Sequence, residues 1–354
     1  PTGILFNFSD GSAVPDPIRR GTFASWWIAE RFNLPETLSC NERALFEEYC
    51  ASPVPQSRNK FSQNGRFFPL TLLFLQDVPS RDKARLPLCR VIDGENPIAM
   101  MRTSWTDPEA WFVGVKGGSP SHNHGHMDIG SFVFDALGVR WGYELGNEPY
   151  AKVEKAGVDL WYMGQRSTRW SLFRYAPEGH STFQVGNERQ VVAKKSSIMR
   201  WTDAFPATVA LDMSYLYVGM GMAKRTFTLG RSGGLTITDM MEIEGGKSVT
   251  WRMNTKASVR LLGNQAVLSQ KDAKGRVREL RVAAKPVDVK WEFTSIAEPC
   301  GRADSANPDM GQLFFTFRPK RSGSQTLRVD FTENENGNWT DDSRGDMNER
   351  KENR

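Results

Sequence analysis

From about Leu86 onward, the chain places apolar and polar residues alternately in short runs separated by Gly, Asp and Asn. Successive side chains of a β-strand point to opposite faces, so this alternation is typical of strands with one buried face. Many short strands with frequent turn signals favour an antiparallel β-sandwich. The predicted strands include residues 98–104, 110–116, 130–135, 139–145, 182–185 and 235–243.

The first part of the chain has a different period. Residues 21–32 and 41–51 carry apolar residues at helical spacing, and residues 68–76 form a third possible helix. The last residues are almost wholly polar, which predicts a disordered tail. The sequence therefore predicts an α+β protein with three parts: a helical segment (1–84), an antiparallel β-sandwich domain (85–332) and a disordered polar tail (333–354).

Composition narrows the functional classes. With 39% hydrophobic and 25% charged residues, the 354-residue chain has enough apolar material for a sizeable core. A net charge of +5 suits an acidic partner, but no dense Lys/Arg stripe predicts nucleic-acid binding. No run is long and apolar enough to span a membrane. The chain opens at Pro1 without a signal peptide, so we expect a processed or truncated piece.

The cysteines carry no recognisable motif. Cys40, Cys50, Cys89 and Cys300 lack the CxxC spacing of zinc and redox sites. Cys40 and Cys50 could form a disulfide or remain free core thiols.

All four histidines lie between positions 122 and 180, and His122, His124 and His126 stand within five residues. Imidazole is the commonest metal ligand and titrates nearest neutral pH, so this crowding predicts a metal or catalytic site.

If residues 124–126 form a strand, both of their imidazoles face one side. The alternation along 139–145 sends Glu144 away from the buried aromatic face, and His180 begins another strand. Two histidines and a carboxylate from adjacent strands, with water as a fourth ligand, suit zinc. The alternative is that one histidine is a hydrogen-bonded core residue.

Several strings carry a resemblance to a known family. NHGHMDIGSF (123–132) is the most specific, and it is accompanied by KGG (116–118), GVRW (138–141), ELG (144–146), FNFSDG (6–11), QRSTRW (165–170) and GHST (179–182). Together they resemble the heparinase II/III-like polysaccharide lyases, over the chain up to about residue 330. This family has an N-terminal helical (α/α) toroid followed by antiparallel sheets, with the substrate cleft between them. The resemblance therefore implies the last helices of the toroid plus the C-terminal β-domain.

The resemblance also implies roles for individual residues. His126, Glu144 and His180 match the zinc ligands, although the family usually has Asp where Glu144 stands, and the zinc is expected to be structural. His124 matches a catalytic histidine of the cleft. The toroid's catalytic tyrosine and its partners would lie upstream, and no histidine precedes position 122, so we expect half of the active site to be absent. Asp128 is expected to orient a ligand histidine, and Asp239 to be a turn or sheet partner rather than a catalytic residue.

By the same resemblance, the chemistry is β-elimination on a uronic-acid polysaccharide, in the periplasm or outside the cell. His124 can serve as acid or base, and Asn123 or His122 can stabilise the charge that develops on the substrate. The clustered Arg166, Arg169 and Arg174 could bind a polyanionic chain, and Tyr150 could line the cleft.

Two alternatives remain open at this point. A cupin-like metalloenzyme uses an HxH pair, a Glu and a later His on β-strands, but its Glu normally follows the second His within a few residues. Glu144 is distant from His126 in sequence, and the helical N-terminus also disfavours a cupin. The second alternative is a non-catalytic β-sandwich module that binds acidic glycans.

Overall fold

The computed structural model describes residues 2, 7–9, 11, 27–29, 31–32 and 87–334, which consist mainly of β-strands. The strands are β1 (Cys89–Ile92), β2 (Ile98–Arg102), β3 (Phe112–Lys116), β4 (Phe132–Ala136), β5 (Val139–Gly142), β6 (Phe183–Val185), β7 (Ile198–Thr202), β8 (Ala207–Asp212), β9 (Met220–Leu229), β10 (Leu235–Ile243), β11 (Val249–Thr255), β12 (Ser258–Leu262), β13 (Gln265–Lys271), β14 (Val277–Lys285), β15 (Glu292–Ser295), β16 (Gly311–Phe317) and β17 (Gly323–Glu333).

The strands form three sheets. One has five strands in the order β1-β2-β3-β4-β5, one has eight in the order β12-β13-β14-β17-β10-β9-β8-β7, and one has four in the order β15-β16-β11-β6. Neighbouring strands are antiparallel in all three. The prediction of an antiparallel β-sandwich is confirmed.

The predicted N-terminal helices fall mostly outside the described residues. Within 21–32, residues 27–29 and 31 are helical. The predicted helices at 41–51 and 68–76, and the polar tail after residue 334, lie outside the described part of the chain. Cys40 and Cys50 also lie outside it, so their pairing stays a prediction. Among the described residues, no helix is both long enough and apolar enough to cross a membrane.

One apolar core joins the three sheets. On β4, Phe132 lies 5.7 Å from Phe227 of β9 and 6.0 Å from Trp251 of β11, measured between ring centroids. Phe134, two residues further along the same face, lies 5.2 Å from Phe331 of β17. These rings are fully buried, and aromatic pairs at such distances stabilise a core beyond the area that they bury. The loop that precedes β4 therefore leads into a strand that is packed in the centre of the core.

The hairpin from β4 to β5 follows its predicted turn but ends early. Leu137 and Gly138 have φ angles of 56° and 75°, as a tight two-residue turn requires. The predicted strand 139–145 stops at Gly142, because the N–H of Tyr143 leaves this sheet and donates to the carbonyl of Asn254 at 2.9 Å. Glu144 therefore lies beyond the end of β5, between two sheets.

Two connections carry the predicted site residues. The first joins β3 to β4 and contains the histidine-rich segment. The second joins β5 to β6 and contains a short helix, α1 (Tyr150–Lys155), and two 3-10 turns, Thr168–Ser171 and Pro177–Gly179. The N–H of Met127 in the first donates to the carbonyl of Tyr175 in the second at 2.9 Å. The two connections are therefore packed together.

Candidate functional site

The segment His124–Gly125–His126 lies in the loop between β3 and β4, so the prediction that it forms a strand is wrong. His124 has a φ of 60°, and the N–H of Gly125 closes a tight turn onto the carbonyl of His122 at 2.7 Å. A Cβ at position 125 would lie 2.5 Å from the Pro120 carbonyl oxygen, so the turn requires glycine. Consequently His124 is exposed at the surface, while His126 is buried in the interior. The two imidazoles therefore belong to two different groups of side chains.

The buried group consists of His126, Asp128 and His180. All three are buried, and their potential ligand atoms lie within 4.8 Å of one another. The Nε2 atom of His180 is buried and has no hydrogen-bond partner among the residues that the structure describes. Two imidazole nitrogens and a carboxylate oxygen form a ligand set that zinc accepts, with the fourth position for water. The side chains present therefore fit a divalent metal ion.

Glu144 is a direct neighbour of this group. Its Oε2 atom accepts a hydrogen bond from Nδ1 of His180, and its Oε1 atom accepts one from the N–H of Ser181 at 2.8 Å. Burial lowers the pKa of His180, but the charge and hydrogen bond of Glu144 together with the charge of Asp128 raise it, and the pKa lies above its ordinary value. A carboxylate on Nδ1 fixes the imidazole so that Nε2 is the nitrogen left for a metal.

Asp128 is held by a buried lysine. Nζ of Lys116 contacts Oδ1 of Asp128, and the N–H and Oγ of Ser9 lie 3.1 and 3.3 Å from Oδ2. Burial raises the pKa of Asp128, but the Lys116 charge together with His180 and His126 lowers it by more, so the pKa lies below its ordinary value. Asp128 is thus an ionised carboxylate beside both histidines. The sequence signal for this ion pair is Lys116, a charged residue at the end of the otherwise apolar strand β3. The structure shows that every residue of β3 is buried.

The positions of the two carboxylates differ from those expected, while their roles stay predictions. Asp128, expected to orient a histidine, lies in the group of three potential ligands. Glu144, expected to be a ligand, contacts Nδ1 of His180. Glu144 reaches this position because β5 ends at Gly142 and the chain then pairs with Asn254 through Tyr143.

The group at the surface consists of His124, Tyr150 and Trp161. Nδ1 of His124 and the phenol oxygen of Tyr150 are 2.6 Å apart, and the two rings are stacked with centroids 6.1 Å apart. The Trp161 ring meets His124 and Tyr150 edge-on at 6.0 and 5.3 Å. The predicted catalytic histidine and the predicted cleft tyrosine are therefore in contact, and a hydrogen bond orients an imidazole at the surface.

Arg169 is buried, which differs from its expected contact with substrate. Its Nε and Nη2 atoms donate to the carbonyl of Gly125 at 3.2 and 2.9 Å, and Nη1 donates to that of Leu160 at 2.9 Å. Its guanidinium carbon lies 4.1 Å from the Tyr175 ring centroid. Arg169 therefore stabilises the turn at Gly125, between His124 and His126, from the protein interior.

The remaining predicted contacts lie at or near the surface. Arg166 and Asn123 are exposed, and His122 is half-buried, with Nε2 3.4 Å from Oε2 of Glu95. Arg174 pairs with the buried Glu148 at 3.1 Å. Of the three clustered arginines, Arg166 is the one whose side chain is open to solvent.

A buried ion pair between two strands of the eight-stranded sheet contacts the loop that carries the site. Arg225 on β9 makes two hydrogen bonds to Asp239 on β10, at 2.6 and 2.8 Å. It also donates to the carbonyl of Gly130 at 2.9 Å. The expectation that Asp239 is a sheet partner is confirmed. The pair ties the end of the histidine loop to the eight-stranded sheet.

Known structures share this fold. A heparinase III aligns with a TM-score of 0.60 and 13% identity, covering 93% of this chain and 44% of that one. The heparan sulfate lyase HepC from Pedobacter heparinus aligns with 0.56 and 15%, covering 93% and 52%. Another heparinase III structure gives 0.56 and 12%, covering 88% and 51%. The chain thus spans about half the length of these structures. No protein-family model and no curated protein matches it.

Proposed function

We propose that this chain is the β-domain portion of a polysaccharide lyase that cleaves a uronic-acid polysaccharide by β-elimination, with His124 as a proton-transfer group. The observation that carries the proposal is the exposed His124 imidazole, oriented by Tyr150 at 2.6 Å, beside a buried histidine–carboxylate cluster in a fold shared with heparinase III. Such an enzyme would act in the periplasm or outside the cell, where its polymer is found.

The proposed reaction removes the C5 proton, breaks the C4–O bond and protonates the leaving oxygen. A base removes the proton on C5, the electron pair forms the C4–C5 double bond, and the C4–O bond breaks with protonation of the leaving oxygen. A neutral imidazole can accept the first proton and an imidazolium can deliver the second. Asn123 and His122, on the same turn as His124, are the polar groups available to stabilise charge on the substrate carboxylate.

Substrate binding would use Tyr150, which contacts His124, and the exposed Arg166. Arg166 offers a cation for a carboxylate or sulfate. The net charge of +5 favours an acidic polymer. Arg169 would contribute indirectly, because its bonds to the Gly125 carbonyl hold the turn on which His124 stands.

A zinc ion would bind to His126, His180 and one carboxylate, either Asp128 or Glu144. When bound, zinc would supply a fixed positive charge that ties the β3–β4 loop to the start of β6. Its role would be structural, because the proposed proton-transfer group, His124, lies at the surface outside the ligand group.

A matched pair of variants identifies the third zinc ligand. We expect Asp128→Asn to lose zinc, because it removes a charged ligand, and Glu144→Gln to weaken zinc binding by about 10–100-fold, as loss of an orienting partner does. Zinc affinity is measured by titration against a competing chelator. Glu188→Gln, which alters a partly exposed ion pair with Lys247, is the control. The reverse order would assign the third position to Glu144, as the sequence motif predicts.

The test of the function is an ultraviolet assay on the parent protein that contains this chain. β-Elimination leaves a double bond conjugated with the carboxylate, so absorbance should rise on a uronic-acid polymer and stay constant on a neutral glucan. Binding without any unsaturated product would support the alternative of a non-catalytic glycan-binding module. The cupin-like alternative has its HxH pair on a β-strand, whereas His124 and His126 lie in the loop between β3 and β4 and differ in exposure.

A further inference from the structure

Two aromatic residues that are adjacent in the sequence, Trp161 and Tyr162, are exposed, and the Trp161 ring lies beside His124. Trp161 is 56% exposed and Tyr162 is 55% exposed. A single exposed aromatic residue is ordinary, but Trp161 continues the surface made by His124 and Tyr150, since it contacts both rings edge-on. The result is a continuous aromatic surface beside the proposed proton-transfer group. A surface of this kind marks a binding site more often than a scattered hydrophobic residue does.

The loop that carries these rings is well held. Oδ1 of Asp159 accepts hydrogen bonds from the N–H groups of Trp161 at 3.2 Å and Tyr162 at 3.1 Å. The N–H of Asp159 donates to Oγ1 of Thr168 at 2.9 Å. The indole Nε1 of Trp161 donates to Oε1 of Glu154 at 3.3 Å. Rings that are ordered before binding lose little conformational entropy when a ligand arrives.

We propose that Trp161 forms a stacking subsite for a pyranose ring of an acidic polysaccharide, next to the sugar that His124 acts on. One face of a pyranose presents C–H groups, and these complement the negative face of an aromatic ring. Arg166, exposed further along the same loop, supplies the positive charge for the carboxylate or sulfate of that sugar. This inference rests on the proposed function and adds a residue and a mode of recognition to it.

The test is calorimetric binding by the full chain. Hexasaccharides of heparan sulfate and of alginate are titrated separately, with cellohexaose as the neutral probe. We expect at least one acidic hexasaccharide to bind, and Trp161→Ala to weaken that binding by about tenfold, since aromatic stacking has an energy of this order. Trp161→Phe keeps a ring and should stay within about threefold of the wild type. Trp201→Ala is the matched control, because Trp201 is 47% exposed on the edge strand β7.

The outcomes separate the subsite from the lyase activity. Equal affinity of Trp161→Ala and the wild type overturns the subsite, as does a wild-type chain that binds neither acidic hexasaccharide. Equal binding of cellohexaose overturns its preference for acidic sugars. If Trp161→Ala weakens binding but the parent protein forms no unsaturated product, the subsite stands and the proposed lyase function fails.

Discussion

Replacing His126 or His180 by alanine is expected to abolish zinc binding and to destabilise the chain. Both imidazoles are buried in the group of potential ligands, and either loss would leave too few protein ligands for a zinc site. If free zinc exceeds the dissociation constant a thousandfold, the lost stabilisation is about 4 kcal/mol. Elemental analysis should give about one zinc per wild-type molecule and none per variant. Thermal unfolding with and without zinc measures the stability change.

The control for this prediction is His122→Ala. His122 belongs to the same histidine run but lies beside Glu95, outside the ligand group, so its variant should keep zinc. Wild-type protein that contains no zinc when freshly purified without chelators would contradict the metal assignment.

Replacing His124 by alanine in the parent protein is expected to lower the rate of β-elimination by roughly 10²–10⁴-fold, the usual contribution of a positioned acid–base group. Zinc should remain bound, because His124 is exposed and lies outside the buried cluster. The measurement is the initial rate of absorbance increase on a uronic-acid polymer, with zinc content determined on the same sample. Trp201→Phe, on the edge strand β7, should keep the parental rate.

Two results would overturn the role of His124. One is a His124→Ala enzyme that is as active as its parent. The other is a product that lacks the unsaturated end, which would mean that the bond is cleaved by hydrolysis.

Local patterns predicted the strands well where a strand has one buried face. The predicted strand 235–243 coincides with β10, whose burial alternates residue by residue. The turn at Leu137–Gly138 also follows from its residues, because a tight hairpin needs positive φ angles and glycine adopts them readily. The same periodicity was misleading at His124–Gly125–His126, where the alternation of imidazole and glycine belongs to a turn.

The sequence by itself determined which residue types gather at the site: the histidine run, His180, and the carboxylates of Asp128 and Glu144. Tertiary structure alone decided their arrangement. The bridge from Tyr143 to Asn254 ends β5 and carries Glu144 beside His180, while Lys116 pairs with Asp128 inside the fold. Arg169, which in sequence looks like a surface cation, is buried under Gly125. Periodicity reports how neighbours in sequence face, whereas these contacts join residues far apart along the chain and depend on how the sheets and loops pack.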